Sequence, residues 1–212
     1  DLLNQLAEDY NVTADYDFSR AYGSCDGFVL SSKTSFRSAV EPLTTLFMFD
    51  IIESGATIKA VSQQEAQSVV TVTLDDIAEA ADNAEPVTLT RSQASELSGG
   101  MTIRFIDIFN DYEVAAVSQF REVVAAESEP SSNTPIVLDY PRAQQMVDRL
   151  LYSAWAKRTT GEFGLLPEFI YLESGDVVTV EAQGFIKPLR IESLTDGTYR
   201  QNVALKTIKP GM

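Results

Sequence analysis

The 212-residue sequence has no histidine, a single cysteine and a single tryptophan. Without histidine, Ser-His-Asp and Cys-His nucleophilic catalysis, histidine general bases and most zinc sites are all excluded together. The lone Cys25 excludes an intrachain disulfide. With only Arg20 as a nearby cation in sequence, it reads as a structural cysteine rather than a reactive thiol. No apolar run approaches the roughly 18 residues of a membrane span, since Leu46 to Phe49 is broken at once by Asp50. No basic segment followed by an apolar one marks a secretion signal. There is no phosphate loop and no GxGxxG, and Gly99-Gly100 is an isolated turn. Bases are scarce: 16 Lys and Arg against 31 Asp and Glu give a net charge of −15. The surface is therefore expected to be broadly negative and to repel nucleic acid and anionic membrane.

What is present is enough apolar material, 44% of residues, for a real core in one large or two small domains. The chain starts inside a helical pattern at Asp1, which raises the expectation of an excerpt from a longer polypeptide. The clearest periodicity is Ala143, Met146, Val147, Leu150, Leu151, Ala154 and Trp155, one apolar face of a helix over residues 140–158. Pro141 suits its first turn, and Lys157 and Arg158 place positive charge at its end. Gly161 stops the helix. Strands follow at 162–166 and 176–181, so the helix is expected to lie on that sheet with Trp155 as its anchor.

Upstream, Leu2, Leu3, Leu6 and Ala7 predict a short helix, 12–18 a short strand or extended arm, and 28–30 a strand. Thr34 or Ser35 caps a helix carrying Phe36 to Leu46, with a kink or two abutting helices at Pro42. Residues 49–53 and 57–61 read as a hairpin across Ser54-Gly55. Further strands are expected at 69–74, 87–90 and 101–109, with a short acidic helix or turn at 75–81 and a helix-compatible stretch at 92–97. Residues 114–126 have the length of either a strand or a helix, and their valines favour strand. ESEPSSNT, 127–134, reads as a surface loop. A long hairpin spans 184–194 and 199–208 across Asp196-Gly197. The fold class is α+β: a small helix-strand-helix-hairpin lobe, 1–62, and a strand-rich, barrel-like lobe, 63–212, packed on the long helix.

The chemistry-bearing clusters are weak. Asp107, Asn110, Asp111 and Glu113, and likewise Asp75, Asp76 and Glu79, lack the spacing of a calcium loop and read as solvated turns or caps. Tyr10, Tyr16, Tyr22, Phe18 and Phe28 have the residue types of a sugar platform but the spacing of core and cross-strand pairs. No catalytic, cofactor-binding or metal-binding residue is assigned, and no cofactor is expected.

Two stretches carry a resemblance. One is Gly27-Phe28-Val29-Leu30, Ser35 to Leu43 and Phe49 to Gly55. The other is Ala154-Trp155-Ala156-Lys157-Arg158, Glu162-Phe163-Gly164-Leu165 and Leu172 to Val178, where a strand after a glycine turn follows a tryptophan-bearing helix. Together they resemble the putative phage tail protein family, found in the large baseplate or host-specificity protein of gene transfer agents and long-tailed phages or prophages. Ser174 stands where that family commonly has proline. The resemblance runs from about Leu2 to Ile208 and rests on turns, caps and core positions, so it implies fold and context rather than chemistry. It implies a non-enzymatic tail-tip hub component that forms homo-oligomers, typically trimers, docks other tail proteins and resides in the particle tail. Full-length members often carry a TIM-barrel-like segment upstream. An acidic bore would let DNA pass without sticking. The competing reading from another class is a carbohydrate-active or carbohydrate-binding module, which needs a cleft with two facing carboxylates.

Overall fold

The computed structural model describes residues 2–64, 67–78, 87–93, 96–121, 130–182, 185–196 and 201–208. Its elements fall into two units, each made of two separate stretches of chain: Asp1–Gln63 with Ala94–Ala154, and Gln64–Gln93 with Trp155–Met212.

In the first unit, Leu3, Leu6 and Ala7 are buried along one side of α1 (Leu2–Asp9). Asn11, at φ 51°, ends the helix: its N–H donates to the Glu8 carbonyl and that of Val12 to Ala7, the Schellman pairing that satisfies terminal carbonyls. β1 (Asp15–Asp17) and the two-residue β2 (Gly27–Phe28) follow. α2 (Phe36–Phe47) is capped by Ser35, whose hydroxyl accepts the Ser38 N–H at 3.3 Å. It runs as one helix through Pro42 and buries Ala39, Val40, Leu43 and Leu46. β3 (Phe49–Ser54) and β4 (Thr57–Ser62) form the expected antiparallel hairpin, and Gly55 supplies its positive φ of 60°. β1 joins β4 in parallel, giving the sheet order β1-β4-β3.

β5 (Ser68–Thr73) and β6 (Val87–Arg91) belong to the second unit, and the first resumes with β7 (Gly100–Asp107), β8 (Val114–Phe120) and β9 (Ser131–Leu138). These make a second sheet of order β2-β9-β7-β8, with β9 parallel to β7 and the other pairs antiparallel. Of the segment of ambiguous period, Val114–Phe120 is strand, and 122–126 lie outside the described residues. The loop expected over 127–134 is corrected at Ser131 to Thr134, which are strand: their polar side chains cost nothing at Ser131, Ser132 and Asn133, which are exposed, while the backbone pairs with β7. Pro135 lies in the irregularity of that ladder, where a missing N–H is tolerated.

α3 (Tyr140–Ala156) begins with Asp139 accepting the Arg142 N–H at 2.8 Å. Ala143 and Val147 join one core with Leu3, Leu6, Val40, Leu43, Phe49, Ile103, Phe105, Val117, Ile136 and Leu138. The expectation that this helix packs on the sheet that follows it is corrected: its core residues serve the first unit. Trp155 is half-buried and outside both cores. It continues the row of Ala143, Val147 and Leu151, but four residues, roughly 6 Å, further along the axis.

The second unit is one six-stranded sheet, ordered β5-β11-β12-β13-β10-β6, adding β10 (Thr159–Leu165), β11 (Val177–Ala182), β12 (Phe185–Asp196) and β13 (Gln201–Thr207). All pairs are antiparallel except β5 with β11. Val72, Val178, Val180, Leu189, Ile191, Val203, Leu205, Phe163 and Leu165 form its core face, joined by Ile77, Phe169 and Leu172 from the connecting segments. β12 and β13 are the expected hairpin, whose tip lies outside the described residues, as do 79–86 and part of 92–97. Leu74–Asp76 is a 3-10 turn, one of the two alternatives expected for this acidic stretch, closed by Asp76 accepting from the N–H and hydroxyl of Thr73 at 2.7 and 2.8 Å. The α+β class holds, and no closed barrel forms among the described residues.

Candidate interaction surfaces

The acidic clusters are turn-builders. Asp107 accepts the Phe109 N–H on its carboxylate at 2.9 Å and the Tyr112 N–H on its carbonyl at 3.1 Å, folding the β7–β8 tip, where Asp111 and Tyr112 take positive φ. Among the described residues, no group of three or more His, Cys, Asp or Glu is placed to hold a metal ion. Glu79 lies outside them. The aromatic residues are mostly core: Tyr16 stacks on Phe18 with centroids 5.2 Å apart, Phe18 on Phe36 at 6.4 Å, and Tyr10 meets Phe36 edge-on at 6.2 Å, while Tyr22 is exposed. Cys25 is half-buried, and that burial pushes its thiol pKa up, away from the reactive thiolate.

The charged side chains hold local geometry. Arg142 donates its backbone N–H to Asp139 and adds a side-chain bond at 2.9 Å, so the Asp139 carboxyl lies below its ordinary range. The same guanidinium reaches Asp26 at 3.1 Å, tying the segment before β2 to the start of α3. Asp17 is also lowered, first by its side-chain hydrogen bond with Ser19.

The distinctive surface is the β7–β8 side of the four-stranded sheet. β8 is an edge strand, VAAVSQF, without charge or proline, two of the devices that normally blunt an edge. Val114 and Phe120 are exposed on it, and Phe109, 84% exposed, and Tyr112 stand at the adjoining tip. The outer face of the sheet reads in rows Ser131–Thr102–Ser118, Asn133–Arg104–Ala116 and Ile106–Val114, with Thr102 and Ser118 joined at 2.8 Å. It carries one charge, Arg104, and no acid; the hairpin's acids, Asp107, Asp111 and Glu113, sit at the tip. Sequence reasoning missed this surface, although the uncharged run 114–120 was its signal.

The sequence profile of the putative phage tail protein family matches residues 35–194, well over half of the chain. The chain belongs to this family. The fold is similar, at TM-score 0.87 and 21% identity, to a chain in the virion of a native gene transfer agent particle, covering 99% of this chain and 47% of that one. It is also similar to the 43 kDa tail protein of prophage MuSo2 from Shewanella oneidensis, with TM-score 0.62, 12% identity, and 98% and 66% of the two chains covered. A tail protein from Neisseria meningitidis MC58 gives 0.61, 12%, 97% and 65%. This phage tail protein thus spans about half the length of the gene transfer agent chain and just under two thirds of the other two. No curated protein matches it.

Proposed function

We propose that this phage tail protein is a structural, non-enzymatic part of a tail-tip or baseplate hub in a phage-like particle. It acts by oligomerising, as a trimer in its full-length context, and by docking neighbouring tail proteins, after assembly in the bacterial cytoplasm. The observation that carries the reading is the family match together with the similarity of nearly the whole chain to one that stands in a gene transfer agent virion. The net charge of −15 supports a bore along which a DNA polyanion slides without sticking. The test is peptide mass spectrometry of phage-like particles purified from an induced source strain. Peptides of this chain at a few copies per particle are expected. Intact particles without them, with the protein free in cytosol or medium, would overturn the proposal.

A further inference from the structure

The two sheets of the first unit differ in charge on their outer faces. On β7, β8 and β9 that face has Arg104 and no acid. Arg104 is exposed and makes no ion pair among the described residues. On the three-stranded sheet, Asp15 and Asp17 of β1 share one face with Asp50 of β3, against the single base Lys59 of β4. Asp15 and Asp17 are exposed, two residues apart and so on the same side of an edge strand. Each sheet therefore ends in an unpaired edge: β8, uncharged with a cation one strand in, and β1, carrying two carboxylates.

We propose that the β8 edge of one copy of this chain docks the β1 edge of a second copy, joining the two sheets through main-chain hydrogen bonds, with Arg104 answering Asp15 and Asp17. The spacing permits it. Arg104 pairs with Ala116, whose methyl leaves the guanidinium free to lie across β8, and a strand added outside β8 lies two strand spacings, about 10 Å, from β7. That is within the combined reach of an arginine and an aspartate side chain. Val114 and Phe120 flank the contact and lose solvent on docking. The occupant is a second copy because this protein itself supplies the complement: an acid-free edge on a chain of net charge −15, and an acidic edge of the same unit. The contact is head-to-tail, using different surfaces on the two copies, the kind that generates rings when the rotation closes. It rests on the oligomeric part of the proposed function and specifies its surface.

The experiment is sedimentation velocity of the 212-residue chain over a concentration series, on wild type, Arg104→Glu, Asp15→Lys and the double variant. Wild type is expected to self-associate, each single reversal to move association to concentrations about tenfold higher or more, and the double variant to recover most of the loss. Ala116→Glu, at another exposed position, provides a second disruption, and unchanged melting temperatures show that the variants are folded. A wild type that stays monomeric to its solubility limit overturns the edge contact, as does association indifferent to both Arg104→Glu and Ala116→Glu. Those outcomes leave the particle measurement untouched, and absence from particles would not alter the sedimentation result, so the two failures are distinguishable.

Discussion

The two units solve the same burial problem with different materials. The first places all of α1 and α2, and nearly all of α3, with two small sheets, so helices supply much of its apolar cover. The second has one six-stranded sheet whose core face is closed by Ile77, Phe169 and Leu172 from short connecting segments. Their chain order differs as well. The three-stranded sheet is entirely local to residues before Gln63, whereas the six-stranded sheet takes its inner four strands from beyond Trp155 and both outer strands, β5 and β6, from Gln64–Gln93. The three-stranded sheet can therefore form within the first 62 residues, whereas the six-stranded sheet is finished only by strands distant in sequence.

The sharpest way to test that contrast is to open each core separately. Phe105→Ala, at a fully buried position in the first unit, is expected to cost about 3–5 kcal/mol, and Leu165→Ala in the second about 2–5 kcal/mol. Hydrogen exchange in denaturant should show each substitution lowering protection first in its own unit; uniform loss across both would break the comparison. Glycines come next. Gly23, at φ 142°, has the Phe47 ring where a Cβ would stand, so Gly23→Ala is expected to cost about 1–3 kcal/mol in a thermal melt. Gly161→Ala in the second unit meets the end of the Leu89 side chain at 3.0 Å, which can shift, and should cost about 1 kcal/mol or less.

A smaller effect, about 1 kcal/mol, is expected for Ser35→Ala, which removes the cap of α2. Smallest is the pH effect of Asp139. Because its folded pKa is depressed, its stabilising contribution is present above the ordinary aspartate range and lost as pH falls through the folded value. An acid titration of the melting temperature should therefore fall less steeply in Asp139→Asn, which keeps a capping side chain but does not titrate.

These positions also show what was legible in the sequence. The Ser35 cap, the Gly55 turn and the buried faces of α1 and α2 were readable because each depends on residues a few positions apart. The strand at Ser131 to Thr134 was not, because its polar composition matches a loop and only pairing to distant Thr102 to Arg104 makes it a strand. The destination of α3 was misjudged for the same reason. Periodicity identifies an apolar face but not the sheet that receives it, and Trp155, the largest side chain on that face, lies outside the core. The interaction surface around Arg104 depends on which strand ends as an edge, which is a property of topology.

The arrangement of the six-stranded sheet also has a consequence in time. β5 leaves the ribosome about one hundred residues before its partner β11, so at a synthesis rate of roughly 5–20 residues per second it waits on the order of 5–20 s to be paired. During that interval SVVTVT is an orphan strand on a nascent chain, while the local β3–β4 hairpin emitted just before it has every partner it needs. Within the six-stranded sheet, exposure to mispairing during synthesis therefore falls on the strands that later frame it, and a cell making many copies at once would meet that sheet's hazard at β5 first.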